Sequence, residues 1–288
     1  MEKLSGKLKD TASQMKLNVV HLCSSVDAKN IDEAVLKATS HTSNKPPSDR
    51  YVEFLKQTAV TCFCHQTISA IVQRLCVTTD VCVASKCLIL IHIVIKCENG
   101  YKGEGLRGTN SPRNLIYNQG ESTLKLNDLN VDASRFTKEL APWVQWYKEY
   151  LKIYFCTAEV LGVTPNIKLE EKLLETQRVS SYNTDCIFKQ VDFLVNLFEN
   201  ISARPKTPTV KTNRIVITIM GLLQEDYISV IRLFMIRFEE LGQRAVPAEL
   251  ISVLVRLENC REALSQFCWR CIRLDEDFWG SVSNLKDK

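Results

Sequence analysis

The residues in this chain best equipped for chemistry are its thiols. Twelve cysteines occur in 288 residues, and a thiolate can cross-link, ligate a metal or act as a nucleophile. Two groups have spacings that metals use. Cys62, Cys64 and His65 lie within one turn's length of each other, and Cys268 and Cys271 form a CxxC. A structural zinc site pairs two such knuckles at regular spacing, whereas these stand about two hundred residues apart, so no metal site is expected. Most of the others, namely Cys76, Cys82, Cys87, Cys97, Cys156, Cys186 and Cys260, fall inside apolar periodic stretches. A buried free cysteine behaves there as a small hydrophobe. The N-terminus MEKLSGKLKD is charged throughout and has no apolar signal segment, so a cytosolic, reduced chain without a disulfide framework is expected.

GxxxxGK[ST], GxSxG, HExxH and DDxxD do not occur. The segment GYKGEGLRG at 100–108 has the glycines of a phosphate loop, but it lacks the closing Lys-Ser/Thr and follows no strand. It reads as a surface loop. His92 lies in a hydrophobic run and reads as a hydrogen-bonded core histidine. The expectation is a protein with no catalytic residues, no metal and no cofactor.

The elements that would carry any site are helices. The chain is 45% hydrophobic and 24% charged, with only 10 glycines and 8 prolines, too few turn residues for a sandwich, barrel or glycine-rich parallel sheet. Apolar residues recur at helical spacing over 3–23, from near Asp32 to about His41, from Arg50 to Leu75 with a break near 62–65, and from Thr79 or Asp80 to Cys97. Ser48 or Asp49 can cap the helix that begins at Arg50, and Glu33 suits the first turn of the one starting near Asp32. Residues 98–130 hold five of the ten glycines and read as the one long irregular stretch. Helices resume over 133–161, with Pro142 as a kink or a second start, then over 169–179, 185–200, 212–242 and 247–271. The most apolar run, 81–95, contains Lys86 and His92 and is shorter than the roughly 20 residues a bilayer span needs. The fold class expected is all-α, a superhelical solenoid of about eight to ten helices. A formal net charge of +4 is too small for bulk nucleic-acid binding, so any basic function must be local.

Several segments carry a family resemblance. DEAVLKATSHTSNKPPSDRYVEFL at 32–55 resembles the opening of the ANTH domain, the phosphoinositide-binding module of clathrin assembly proteins. CVASKCLILIHIVIKCENG at 82–100 resembles its central helix, and APWVQWYKEYL at 141–151 its aromatic helix. RLENCREALSQFCW at 256–269 and DEDFWG at 275–280 resemble the ending of plant members. The segments occur in family order over about 30–280. The resemblance implies an amphipathic N-terminal helix over 1–25, an ANTH domain over 26–280 and a short C-terminal tail over 281–288.

In that family a Lys, nine residues, then Lys-x-Lys/Arg-His/Tyr grips the phosphates of phosphatidylinositol 4,5-bisphosphate. Carried over by resemblance, Lys37 matches the first Lys, Arg50 the later basic residue and Tyr51 the closing position. Ser48 replaces the remaining Lys, one residue further on, and Lys45 is the candidate to supply the missing charge. A bisphosphate needs several donors and positive charges converging on one spot. Lys37 and His41, at i and i+4, would share a helix face, with Lys45, Arg50 and Tyr51 brought alongside. The same residues could instead complement a helix end or remain solvated surface charges. A basic amphipathic helix at the N-terminus could give a second membrane contact through Lys3, Leu4, Lys7 and Leu8, or pack its apolar stripe onto the domain.

The implied function is a phosphoinositide-binding peripheral adaptor in clathrin-mediated endocytosis, on the cytoplasmic face of coated pits and vesicles, the plasma membrane or the Golgi apparatus. The implied partners are a membrane containing phosphatidylinositol 4,5-bisphosphate, clathrin and a vesicle SNARE helix; nucleic acid is not among them. No NPF, DxF or acidic clathrin box occurs, so clathrin rests on the resemblance alone. The alternative is a helical protein–protein scaffold whose lipid site has weakened at Ser48.

Overall fold

The computed structural model describes residues 28–60, 64–97, 134–206, 212–244, 249–267 and 272–286. Readings of the helix over 3–23, the loop over 98–130, and Cys62, Cys268 and Cys271 lie outside these residues. Among the described residues there are eleven α-helices, one short 3-10 turn and no sheet, so the all-α class holds. Contacts divide the chain into two compact units, one containing residues 28–97 and the other 134–286.

The N-terminal unit contains α1 (Ala28–Ala38), α2 (Asp49–Ala59), α3 (Cys64–Val77) and α4 (Val81–Cys97). Fourteen of the residues of α4 are buried, on every side of the helix. A helix apolar all round belongs in the middle of a core, and α2 and α3 both pack on it, while α1 packs on α2 and α3. Leu88, Ile89, Leu90 and Ile91 are fully buried, each contributing about 1.5–3 kcal/mol relative to exposure. Asp80 starts α4: its Oδ1 accepts from the amides of Cys82 at 2.7 Å and Val83 at 3.0 Å, which satisfies two of the donors a helix leaves free at its start.

The C-terminal unit begins with α5 (Arg135–Leu161), followed by a 3-10 turn (Leu169–Glu171), α6 (Lys172–Ser180), α7 (Thr184–Ser202) and α8 (Arg214–Gly242). It ends with α9 (Glu249–Asn259), α10 (Arg261–Ser265) and α11 (Ile272–Lys286). α7 is the hub, packing on α5, α8, α9 and α10. α5 runs unbroken past Pro142 and stops at Gly162, which takes a left-handed φ of 70° that a residue with a side chain adopts only with strain. Asn183 and Asn213 cap α7 and α8 through their side-chain carbonyls.

Several boundaries differ from the sequence reading. α1 starts at Ala28, a turn before Asp32, so Glu33 sits in mid-helix and does not serve the first turn. The helix expected over 247–271 is divided: the Cys260 amide bonds Leu257 O at 3.0 Å, a tightened turn, and α10 follows. The segment read as a tail from 281 is helical to Lys286. The cysteines are only partly core filler. Cys64, Cys82, Cys87 and Cys260 are buried, Cys97, Cys156 and Cys186 half-buried, and Cys76 exposed on the last turn of α3. Burial pushes the Cys87 thiol up to about 12, which keeps it protonated and inert.

Candidate functional site

The candidate site is built at the junction of α1 and α2. Lys37 lies in the last turn of α1 and Arg50 and Tyr51 in the first turn of α2. The helices pack on each other, so the junction faces the three side chains together. The Lys37 ammonium is 5.8 Å from the centre of the Tyr51 ring, and the Arg50 guanidinium carbon is 5.9 Å from it. Both lie at the range where a ring's quadrupole attracts a cation. The three line a shallow cavity of about 250 Å³ together with Asn30, Glu33, Ala34 and Phe54. Lys37 also bonds Glu33, one turn earlier on α1, at 2.5 Å. That carboxylate, then the Tyr51 phenol, holds the Lys37 ammonium above its usual range, and Lys37 holds Glu33 below its own.

Two of the five expected residues lie elsewhere. α1 stops at Ala38, so the i,i+4 relation that would place His41 beside Lys37 does not apply. The Thr39 amide makes the last helical bond, to Val35 O at 2.9 Å, and its hydroxyl donates to the same carbonyl at 2.7 Å. The Lys86 ammonium rises from the core to donate to Ser40 O at 2.6 Å and Thr42 O at 2.9 Å. His41 faces away from the cavity, with Nδ1 2.8 Å from Asp80 Oδ2 and Nε2 3.3 Å from an Arg74 guanidinium nitrogen. Burial alone would raise the Asp80 carboxyl, but His41 and the two α4 amides outweigh it and hold it low. Lys45 is exposed and close enough to Lys86 that its charge adds to burial in pushing that ammonium's pKa down.

The loop from α1 to α2 therefore has two sides. One carries Lys37, Arg50 and Tyr51; the other carries His41, Arg74 and Asp80, with Lys86 beneath. Ser48 occupies the residue before α2 without a side-chain cap bond. Lys3, Leu4, Lys7 and Leu8 lie outside the described residues. In the sequence, Lys86 counts only against a bilayer span. A fully buried lysine is rare unless its charge is engaged, and that rarity was the available signal. Among the described residues no group of three or more His, Cys, Asp or Glu side chains could hold a metal, and no helix is long and apolar enough to cross a membrane.

Comparison with known proteins shows the family of the chain. Residues 30–271 match the ANTH domain family. Three Arabidopsis thaliana proteins, each named "Putative clathrin assembly protein", align over nearly the whole chain. One is 65% identical, covering 99% of this chain and 98% of the relative. A second is 38% identical, covering 98% and 83%. A third is 30% identical, covering 98% and 79%.

Proposed function

Because the chain belongs to the ANTH domain family, we propose that it is a phosphoinositide-binding peripheral membrane adaptor of clathrin-coated vesicle assembly. It works by binding and not by catalysis. The observation that carries the lipid reading is the meeting of Lys37 and Arg50 across the Tyr51 ring in one open cavity. A lipid phosphate there would gain two cations and a phenolic hydroxyl, with the positive end of the α2 dipole behind Arg50. The guanidinium offers two parallel donors to one phosphate, and the ammonium acts as a mobile point charge. Clathrin as partner rests on the names of the relatives. A vesicle SNARE helix belongs to the same proposal. So does a second membrane contact by the basic N-terminal segment carrying Lys3, Leu4, Lys7 and Leu8. The place of action is the cytoplasmic face of coated pits and vesicles.

Co-sedimentation of the full chain with vesicles tests the lipid reading. Binding is expected to rise when phosphatidylinositol 4,5-bisphosphate is added to neutral vesicles. Lys37→Glu with Arg50→Glu is expected to weaken it by at least about tenfold, since juxtaposed cations set such attraction. Equal sedimentation on neutral and phosphoinositide vesicles would sink the reading.

A further inference from the structure

The cavity contains a charge that opposes its proposed ligand. Glu33 lines it beside Lys37, Arg50 and Tyr51, and its carboxylate is on the Lys37 ammonium at 2.5 Å. Two cations and one carboxylate leave a net charge of one. Glu33 and Lys37 keep side-chain exposures of 57% and 50%, so the pair stands open at the cavity and not under it. Ser48, exposed at the start of α2, adds no charge. Arg50 is the cation in the cavity that this carboxylate does not hold.

A phosphate monoester carries about −1.5 to −2 charges near neutral pH. The first phosphate of a headgroup meets the Arg50 guanidinium, which suits two of its oxygens. A second phosphate has to reach Lys37, where it competes with Glu33 for one ammonium and brings like charges together. Resting on the phosphoinositide reading above, we propose that Glu33 is a specificity-determining residue of the headgroup site: it holds Lys37 and removes the advantage of a bisphosphorylated inositol over a singly phosphorylated one. The membrane is recognised through one phosphate, and the second adds little.

The experiment uses the full chain and three vesicle compositions: phosphatidylcholine with phosphatidylserine, with phosphatidylinositol 4-phosphate, or with phosphatidylinositol 4,5-bisphosphate, all at matched surface charge. For the unaltered protein the two phosphoinositides are expected to bind within about twofold of each other, both above phosphatidylserine. Glu33→Gln is expected to strengthen bisphosphate binding about three- to tenfold and monophosphate binding less than about twofold, the range an exposed ion pair and a freed charged donor allow. Asp32→Asn makes the same change of charge on the neighbouring exposed residue and is expected to leave the ratio alone. Glu33→Gln with Lys37→Gln is expected to lose the gain. A ratio unchanged by Glu33→Gln while Lys37→Gln weakens binding overturns the role of Glu33 and leaves the lipid site standing. Equal gains from Glu33→Gln and Asp32→Asn on all vesicles also overturn it. Binding that does not distinguish the phosphoinositides from phosphatidylserine overturns both readings.

Discussion

Replacing Arg237 with alanine is expected to lower the stability of the C-terminal unit by about 3–5 kcal/mol, the usual cost of leaving one partner of a buried ion pair uncompensated. The Arg237 side chain is 0% exposed and that of Glu175 7%. One guanidinium nitrogen donates to Glu175 at 2.7 Å, Nε to Gln190 Oε1 at 2.8 Å and the other to Leu233 O at 3.0 Å. The group thus ties α6, α7 and α8 together. Burial lowers the guanidinium pKa and Glu175 opposes that shift, but an arginine stays charged within proteins. After Arg237→Ala, Glu175 keeps only the partly exposed Arg178 at 2.7 Å. Trp143, Trp146 and Trp279 belong to this unit, and no tryptophan occurs in residues 28–97, so tryptophan emission in a denaturant titration does not report on the N-terminal unit. Arg237→Met combined with Glu175→Gln removes both charges and is expected to recover at least half of the loss. A loss below about 1 kcal/mol for Arg237→Ala would show that the pair does not hold the helices.

The same unit is expected to unfold cooperatively in alkali. Tyr147, Tyr150 and Tyr154 lie one turn apart along α5 with no exposed surface. Burial first, and the Asp226 carboxylate second, hold all three phenols well above their usual range. Tyr150 donates to Asp226 at 2.6 Å. A folded pKa above the unfolded one means stability fully present below about pH 10 and lost as pH rises from there towards the folded values. Each phenol adds a slope of about 1.4 kcal/mol per pH unit, so the three together add about 4. The part of the tyrosinate absorbance that comes from these buried phenols is expected to rise in one step that coincides with the change in tryptophan emission. Ionisation of these three phenols without unfolding would mean that water reaches α5.

What the sequence made legible was local. The 3.6-residue periodicity placed most helices, and the scarcity of glycine and proline made the all-α class secure. The start of α4 was legible as Thr79 or Asp80 because a cap before an apolar run has a local cause, and Asp80 is the one that bonds the first amides. What escaped depended on distance along the chain. Arg237 and Glu175 are 62 residues apart, and Lys86 meets Ser40 across 46; no window of sequence shows such pairs. His41 lies elsewhere because α1 ends at Ala38, three residues short, and the carbonyls of Ser40 and Thr42 bond the distant Lys86 ammonium. Glu33 was assigned to a helix start that lies a turn further back. The trio Lys37, Arg50 and Tyr51 came from resemblance, and the packing of α1 on α2 supplies the geometry that spacing could not.

The central claim is that a phosphorylated inositol binds where α1 meets α2. Amide chemical shifts of the full chain, followed during titration with inositol 1,4,5-trisphosphate, test it most directly. The account predicts the largest changes at Glu33 to Lys37 and Arg50 to Phe54, saturating together, and abolished by Lys37→Glu with Arg50→Glu. Changes confined to His41 to Lys45 or to the C-terminal unit, or none in either helix, would contradict it.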